Sequence, residues 1–146
     1  MRIAMIGTGY VGLVSGACFS EFGVDVTCVD NDNAKIATLE AGQVPIFEPG
    51  LADLVARNVA AGRLSFSSQL APAVAAADAV FIAVGTPSRR GDGDADLSYV
   101  FTAAGEIADA LEGYTLVVTK STVPVGTGAR VAELIAARRP EADVDV

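Results

Sequence analysis

The chain contains no histidine. That one absence removes Ser-His-Asp triads, Cys-His pairs, histidine metal ligands and a histidine general base. Cysteine is scarce. Cys18 and Cys28 are the only two, too few for a disulfide framework, and both fall in apolar segments. They read as small buried hydrophobes in a reducing cytosol. Positive charge is short as well: 10 Lys and Arg stand against 18 Asp and Glu, for a net charge of −8 and a pI of about 4.3. The cationic footprint that nucleic acid or an anionic membrane requires is missing, so neither is expected as a partner. No run reaches the ~18 apolar residues of a membrane span. Gly7, Gly9 and Gly12 interrupt the apolar N-terminus where the core of a signal peptide would lie. A soluble, cytoplasmic protein is expected.

What is present is a chain of 146 residues, 51% apolar and 19% charged. That length suits one domain, 1–146, with a core large enough to need no disulfide or metal. Short apolar runs alternate with longer stretches of helical period. Met1–Ile6 reads as a strand. Val11, Val14, Cys18 and Phe22 recur at helical spacing, with Gly23 placed to end that helix. Val24, Val26 and Cys28 alternate as a second strand ending at Asp30, and a helix over about 32–41 stops at Gly42. Leu51, Leu54, Val55 and Val59 mark a helix preceded by Pro49. A short strand at Leu64 and Phe66 and a helix over about 70–77 follow. Ala79–Val84 is continuously apolar, as befits a parallel strand covered on both faces. Leu97, Val100, Ala104, Ile107 and Leu111 form a helical stripe closed by Gly113; Thr115–Thr119 is a strand; Val131, Leu134 and Ile135 mark a last helix; Ala142–Val146 begins a further strand. The alternation predicts an α/β fold, a Rossmann-type doubly wound parallel sheet with helices on both faces. Because the chain stops on a strand, it is expected to be part of a longer polypeptide.

Gly7-Thr8-Gly9-Tyr10-Val11-Gly12 fits G-x-G-x-x-G directly after a predicted strand and at the opening of a predicted helix. In that context Gly7 permits the tight turn, Gly9 lets the backbone approach a diphosphate, and Gly12 lets the helix pack close. The helix N-terminus offers free N–H groups to the phosphates. Asp30, 23 residues after Gly7, stands where a carboxylate accepts from ribose hydroxyls. It would repel a 2′-phosphate and no Arg follows it, so NAD is expected rather than NADP. The competing reading of Asp30 is a helix N-cap, a role Asn31 or Asp32 fills equally well. Lys35 either approaches the ribose and phosphates or sits on a solvated helix face. Hydroxyls at Thr86, Ser121 and Thr122 fall at the carboxyl ends of later strands, where the nicotinamide half or a water can be held; each alone is also an ordinary turn or cap residue. Gly91–Asp96 imitates the start of a calcium loop. The match fails at Leu97 and Ala103, where glycine and glutamate are needed, so it reads as an acidic loop whose Asp96 caps the next helix. No metal site is expected.

The segments GTGYVGLVSG, VTCVD, PIFEPGL, FIAVGTP, GDGDADLSYV and KSTVPVGT, in this order, resemble the UDP-glucose/GDP-mannose dehydrogenase family over nearly the whole chain. The resemblance implies the N-terminal NAD-binding domain of an oxidoreductase. Such an enzyme oxidises UDP-glucose to UDP-glucuronate with two NAD, through a cysteine-bound thiohemiacetal and thioester. It implies cofactor contacts at Val11, Asp30, Lys35, Thr86 and Thr122, and a water-positioning role for Thr122. It places the catalytic Cys and the UDP-sugar loop outside these residues; Cys18 and Cys28 match no catalytic position. The parent enzyme is then a homo-oligomer formed through domains this chain does not contain. A relative acting on GDP-mannose or a UDP-N-acetylhexosamine, or a non-catalytic NAD-binding module, are the other readings.

Overall fold

A computed structural model describes residues 1–88 and 95–146. Six strands, β1 (Arg2–Ile6), β2 (Asp25–Val29), β3 (Leu64–Ser67), β4 (Ala79–Ile82), β5 (Thr115–Thr119) and β6 (Val144–Asp145), form one sheet in the order β3-β2-β1-β4-β5-β6. Every pairing is parallel. Six helices connect them: α1 (Tyr10–Glu21), α2 (Asn33–Glu40), α3 (Leu51–Ala60), α4 (Leu70–Ala75), α5 (Ser98–Ala110) and α6 (Thr127–Arg138). The strand order reverses between β1 and β4. In such a sheet the crevice for a ligand opens at that point, beyond the carboxyl ends of the strands.

Alternation along β1 divides the core. Ile3 and Met5 pack with Leu13, Ala17, Leu39 and Val55 on one face. Ala4 and Ile6 pack with Val74, Val100, Ile107, Val131 and Ile135 on the other. The predicted stripe along α5 holds for Val100, Ala104, Ile107 and the C-cap Leu111, which are buried, while Leu97, at the N-cap, is half-buried. The last helix holds too, where Val131 and Ile135 are buried and Leu134 is half-buried.

The predicted face of α1 is wrong. Its buried residues are Gly12, Leu13, Gly16, Ala17 and Ser20, whereas Val11 and Cys18 are exposed and Phe22 is 83% exposed. The reason is proximity. A Cβ on Gly16 would lie 2.6 Å from Cys28 Sγ, so the helix lies on the sheet closer than bulky side chains would allow. Cys18 is therefore not the buried hydrophobe expected. Cys28 is, and burial pushes its thiol up to about 12.

The helix α3 departs in the same way. Val59 is exposed and Asn58 is fully buried. The Asn58 amide donates to Glu21 Oε2 at 2.7 Å and to the Leu54 carbonyl at 2.9 Å, and its Oδ1 accepts from Arg63 at 2.8 Å. A side chain so fully satisfied is not costly to bury. The strand β4 ends at Ile82, leaving Ala83 and Val84 to begin the loop at the crevice.

Candidate functional site

The glycine turn joins the carboxyl ends of β1, β2 and β4. The Gly7 N–H donates to the Val29 carbonyl at 2.7 Å, and Ala83 N–H to the Ile6 carbonyl at 2.8 Å. Gly7 has φ +107°, and a Cβ there would sit 2.6 Å from the Ala83 carbonyl oxygen. Gly12 is held more tightly still: its Cβ would lie 1.9 Å from the Gly7 carbonyl oxygen. Both glycines are demanded by the protein itself, in the roles expected of them. Gly9 is different. Nothing lies within 4 Å of where its Cβ would point, and its φ of −69° is open to any residue. It also caps α1 without a side chain, so no cap side chain bonds the N–H groups of the first turn, and that turn carries no acidic residue. An anion fits there by the dipole and by free donors together.

Asp30 follows β2 and faces this turn. Its Oδ2 accepts from the Thr8 N–H at 2.9 Å, the Thr8 hydroxyl at 2.6 Å and Lys35 Nζ at 3.0 Å. Its Oδ1 accepts from the Asp32 N–H at 3.1 Å. The side chain is 10% exposed. Burial by itself raises the pKa of such a carboxyl, but here the bonds from Thr8, Asp32 and Lys35 together outweigh it and hold Asp30 at about 2. The alternative role of N-cap belongs to Asp32, whose Oδ1 accepts from the N–H groups of Ala34 and Lys35. Lys35 is not on a purely solvated face; its ammonium pairs with Asp30.

Across the crevice the arrangement is looser. The Thr86 hydroxyl donates to the Thr122 carbonyl at 3.1 Å, tying the loop after β4 to the loop after β5. The Ser121 hydroxyl donates to the Val84 carbonyl at 2.7 Å, so its proton is committed to the backbone rather than to a ligand. The Thr122 hydroxyl is exposed and bonds to no other described residue. Tyr10, exposed at the start of α1, donates its hydroxyl to the Glu48 carboxylate, and that bond raises the phenol above its ordinary pKa. The acidic-loop reading falls on residues 91–94, which lie outside the described residues. Asp96, at its end, accepts from the Ser98 N–H at 3.0 Å but is not the N-cap of α5; that position is Leu97, which makes no side-chain cap bond.

Two residues of this edge escaped the sequence reading, Thr8 and Glu48. Thr8 had a signal. β1 and β2 pair with Ile6 opposite Val29, so extending that register puts Gly7 opposite Asp30 and Thr8 one position beyond it, within reach of the carboxylate. Glu48 had none beyond its place in PIFEPGL.

The sequence profile described as "UDP-glucose/GDP-mannose dehydrogenase family, NAD binding domain" matches residues 1–146. A UDP-glucose 6-dehydrogenase of Rhizobium meliloti is 67% identical over all of this chain and 33% of its own length. The Bacillus subtilis UDP-glucose 6-dehydrogenase TuaD is 54% identical over 92% of this chain and 29% of its own. Among solved structures, a GDP-mannose dehydrogenase from Pseudomonas aeruginosa superposes with a TM-score of 0.94 at 39% identity, covering 100% of this chain and 35% of that one. The chain thus spans about a third of the length of the curated relatives it matches.

Proposed function

The chain belongs to the UDP-glucose/GDP-mannose dehydrogenase family as its NAD-binding domain, and from that premise we propose that it serves an enzyme oxidising C6 of UDP-glucose to the carboxylate of UDP-glucuronate with two NAD. The observation that carries the cofactor half is Asp30. A charged, nearly buried carboxylate abuts a glycine turn whose Gly9 faces open space. Support for UDP-glucose is the 67% identity to an enzyme that bears that activity as its name.

The residues present fit NAD. Gly7, Gly9 and Gly12, with the first-turn N–H groups of Tyr10 and Val11, would seat the diphosphate. Asp30 would accept from the adenosine ribose, Lys35 would offset charge beside it, and Thr86 and Thr122 would flank the nicotinamide end. When bound, NAD supplies the hydride acceptor; this chain binds and orients it. Thr122, with its exposed hydroxyl, is positioned to hold a water for the reaction. The nucleophilic cysteine is assigned to the rest of the parent polypeptide, because Cys28 is buried and protonated and Cys18 lies on α1 outside every bonded group of this edge. On this reading residues 1–146 are one cofactor domain of a longer parent, which the family resemblance implies is a homo-oligomer.

Two measurements test this. Asp30→Ala should weaken NAD binding by roughly 10- to 100-fold, the worth of bonds to a charged group; unchanged binding removes Asp30 from the site. The 146-residue chain should give no steady NADH with UDP-glucose, and turnover by it would overturn the division of labour. The second reading, GDP-mannose as substrate, is favoured only by the structural likeness to that dehydrogenase. Comparing NADH formation by the full-length parent on UDP-glucose, GDP-mannose and UDP-N-acetylhexosamines decides between them.

A further inference from the structure

Thr8 gives both of its donors to one oxygen atom. It is 1% exposed, and its N–H and its hydroxyl reach Asp30 Oδ2 at 2.9 and 2.6 Å. Lys35 Nζ adds a third donor to the same oxygen at 3.0 Å. A carboxylate oxygen has about two lone-pair sites, so Oδ2 is saturated. Among the described residues Oδ1 accepts only the Asp32 N–H, at 3.1 Å, and keeps capacity for another donor. The carboxylate therefore has one anchored oxygen and one available oxygen.

Resting on the NAD-binding reading above, we propose that Thr8 is a positioning and specificity-determining residue for the dinucleotide: its hydroxyl anchors Asp30 Oδ2, so that Oδ1 is offered to the ribose hydroxyls and the carboxylate cannot turn away from a 2′-phosphate. Of the donors on Oδ2, the backbone N–H persists whatever residue stands at position 8. Lys35 is 34% exposed and sits on a long flexible stem. The hydroxyl is the one stiff donor specific to the side chain, because a β-branched residue enclosed by protein has little freedom at χ1. Remove it and the carboxylate gains a way to rotate. It then grips the ribose less well, and it also yields before a 2′-phosphate it would otherwise repel. The same loss raises the pKa of Asp30, since the Thr8 hydroxyl is foremost among the bonds that hold it down.

The test is calorimetric titration of the chain with NAD and with NADP, for the wild type, Thr8→Val, Thr8→Ala and Thr8→Ser. Valine keeps the shape and loses the hydroxyl; serine keeps the hydroxyl. Thr8→Val should weaken NAD binding about fivefold and leave NADP unchanged or tighter, so that the preference for NAD falls by at least about fivefold. It should also move the acidic fall-off of NAD binding to higher pH. Thr8→Ser should restore both. Thr8→Ala repeats the measurement in a smaller side chain should valine prevent folding. Equal losses for NAD and NADP in Thr8→Val or Thr8→Ala, or a serine variant that behaves like valine, overturn the proposal and leave Thr8 a packing residue. A wild-type chain that binds no NAD is the separate outcome that removes the underlying reading, and this proposal with it.

Discussion

The two ends of the crevice are built differently. At the β1–β2 end a single carboxylate takes four hydrogen bonds, from Thr8, Lys35 and Asp32, with a side chain 10% exposed. At the β4–β5 end two neutral hydroxyls, those of Thr86 and Ser121, donate to backbone carbonyls of the facing loop, the Thr122 hydroxyl bonds to no described residue, and Val125 is fully exposed. The first end is complete within this chain: its charge is fixed, paired and oriented before any ligand arrives. The second is a frame of loops. Preorganised donors and acceptors contribute affinity because no ordering cost is left to meet on binding. Affinity and the choice of nucleotide are therefore expected to reside at the first end, and the second to contribute placement.

The largest effect falls where the two ends meet. A Cβ at Gly12 would meet the Gly7 carbonyl of one and the Ala83 side chain of the other. In Gly12→Ala the new Cβ has backbone on one side at 1.9 Å, so the turn must move, at a cost of about 3 kcal/mol or more. Thermal unfolding should drop sharply and NAD binding with it. Gly9→Ala makes the contrast. Its Cβ meets no protein atom, so melting should stay close to wild type while NAD affinity falls by at least about tenfold, the loss expected when a methyl enters ligand space. A Gly9→Ala chain that melts early, or binds normally, breaks the distinction between glycines the fold requires and a glycine the ligand requires.

Much of this was legible from residues alone. Parallel strands, the glycine turn and the acid at 30 all follow from local pattern, because each rests on the period of the chain or on a turn only glycine can make. What escaped the reading depends on distances between segments. Val11, Val14, Cys18 and Phe22 looked like the inner stripe of α1 because they are the large apolar residues. The sheet instead selected Gly12, Gly16 and Ala17, since closeness to Cys28 favours small residues. Asn58 displaced Val59 for want of any local sign that Glu21 and Arg63 would satisfy it. Thr8 was passed over because its partner is 22 residues away, although the strand register brings the two together.

Acid sharpens the comparison next. Asp30 is held at about 2 in the folded chain, below the value of about 4 expected when unfolded. A depressed carboxyl stabilises the fold in full above the unfolded value and loses that contribution as pH falls through the folded one. The window is thus about pH 4 down to 2, and the amount about 2 kcal/mol. Denaturant unfolding followed across that window should show Asp30→Asn losing stability less steeply than wild type. Parallel curves would mean that the paired carboxylate contributes nothing the amide cannot.

The smallest effect belongs to the β4–β5 end. Thr86→Val removes one of the side-chain bonds between its loops, a neutral bond worth about 1 kcal/mol net. Since the Ser121 hydroxyl still ties Lys120–Pro124 to the Val84 carbonyl, the loops should stay together. NAD affinity should then change by no more than about threefold, well short of the loss expected from Asp30→Ala. Should Thr86→Val weaken NAD as much as Asp30→Ala does, the asymmetry between the ends is wrong. The nicotinamide frame would then act as a binding element in its own right, with its hydroxyl meeting the ligand rather than the neighbouring loop.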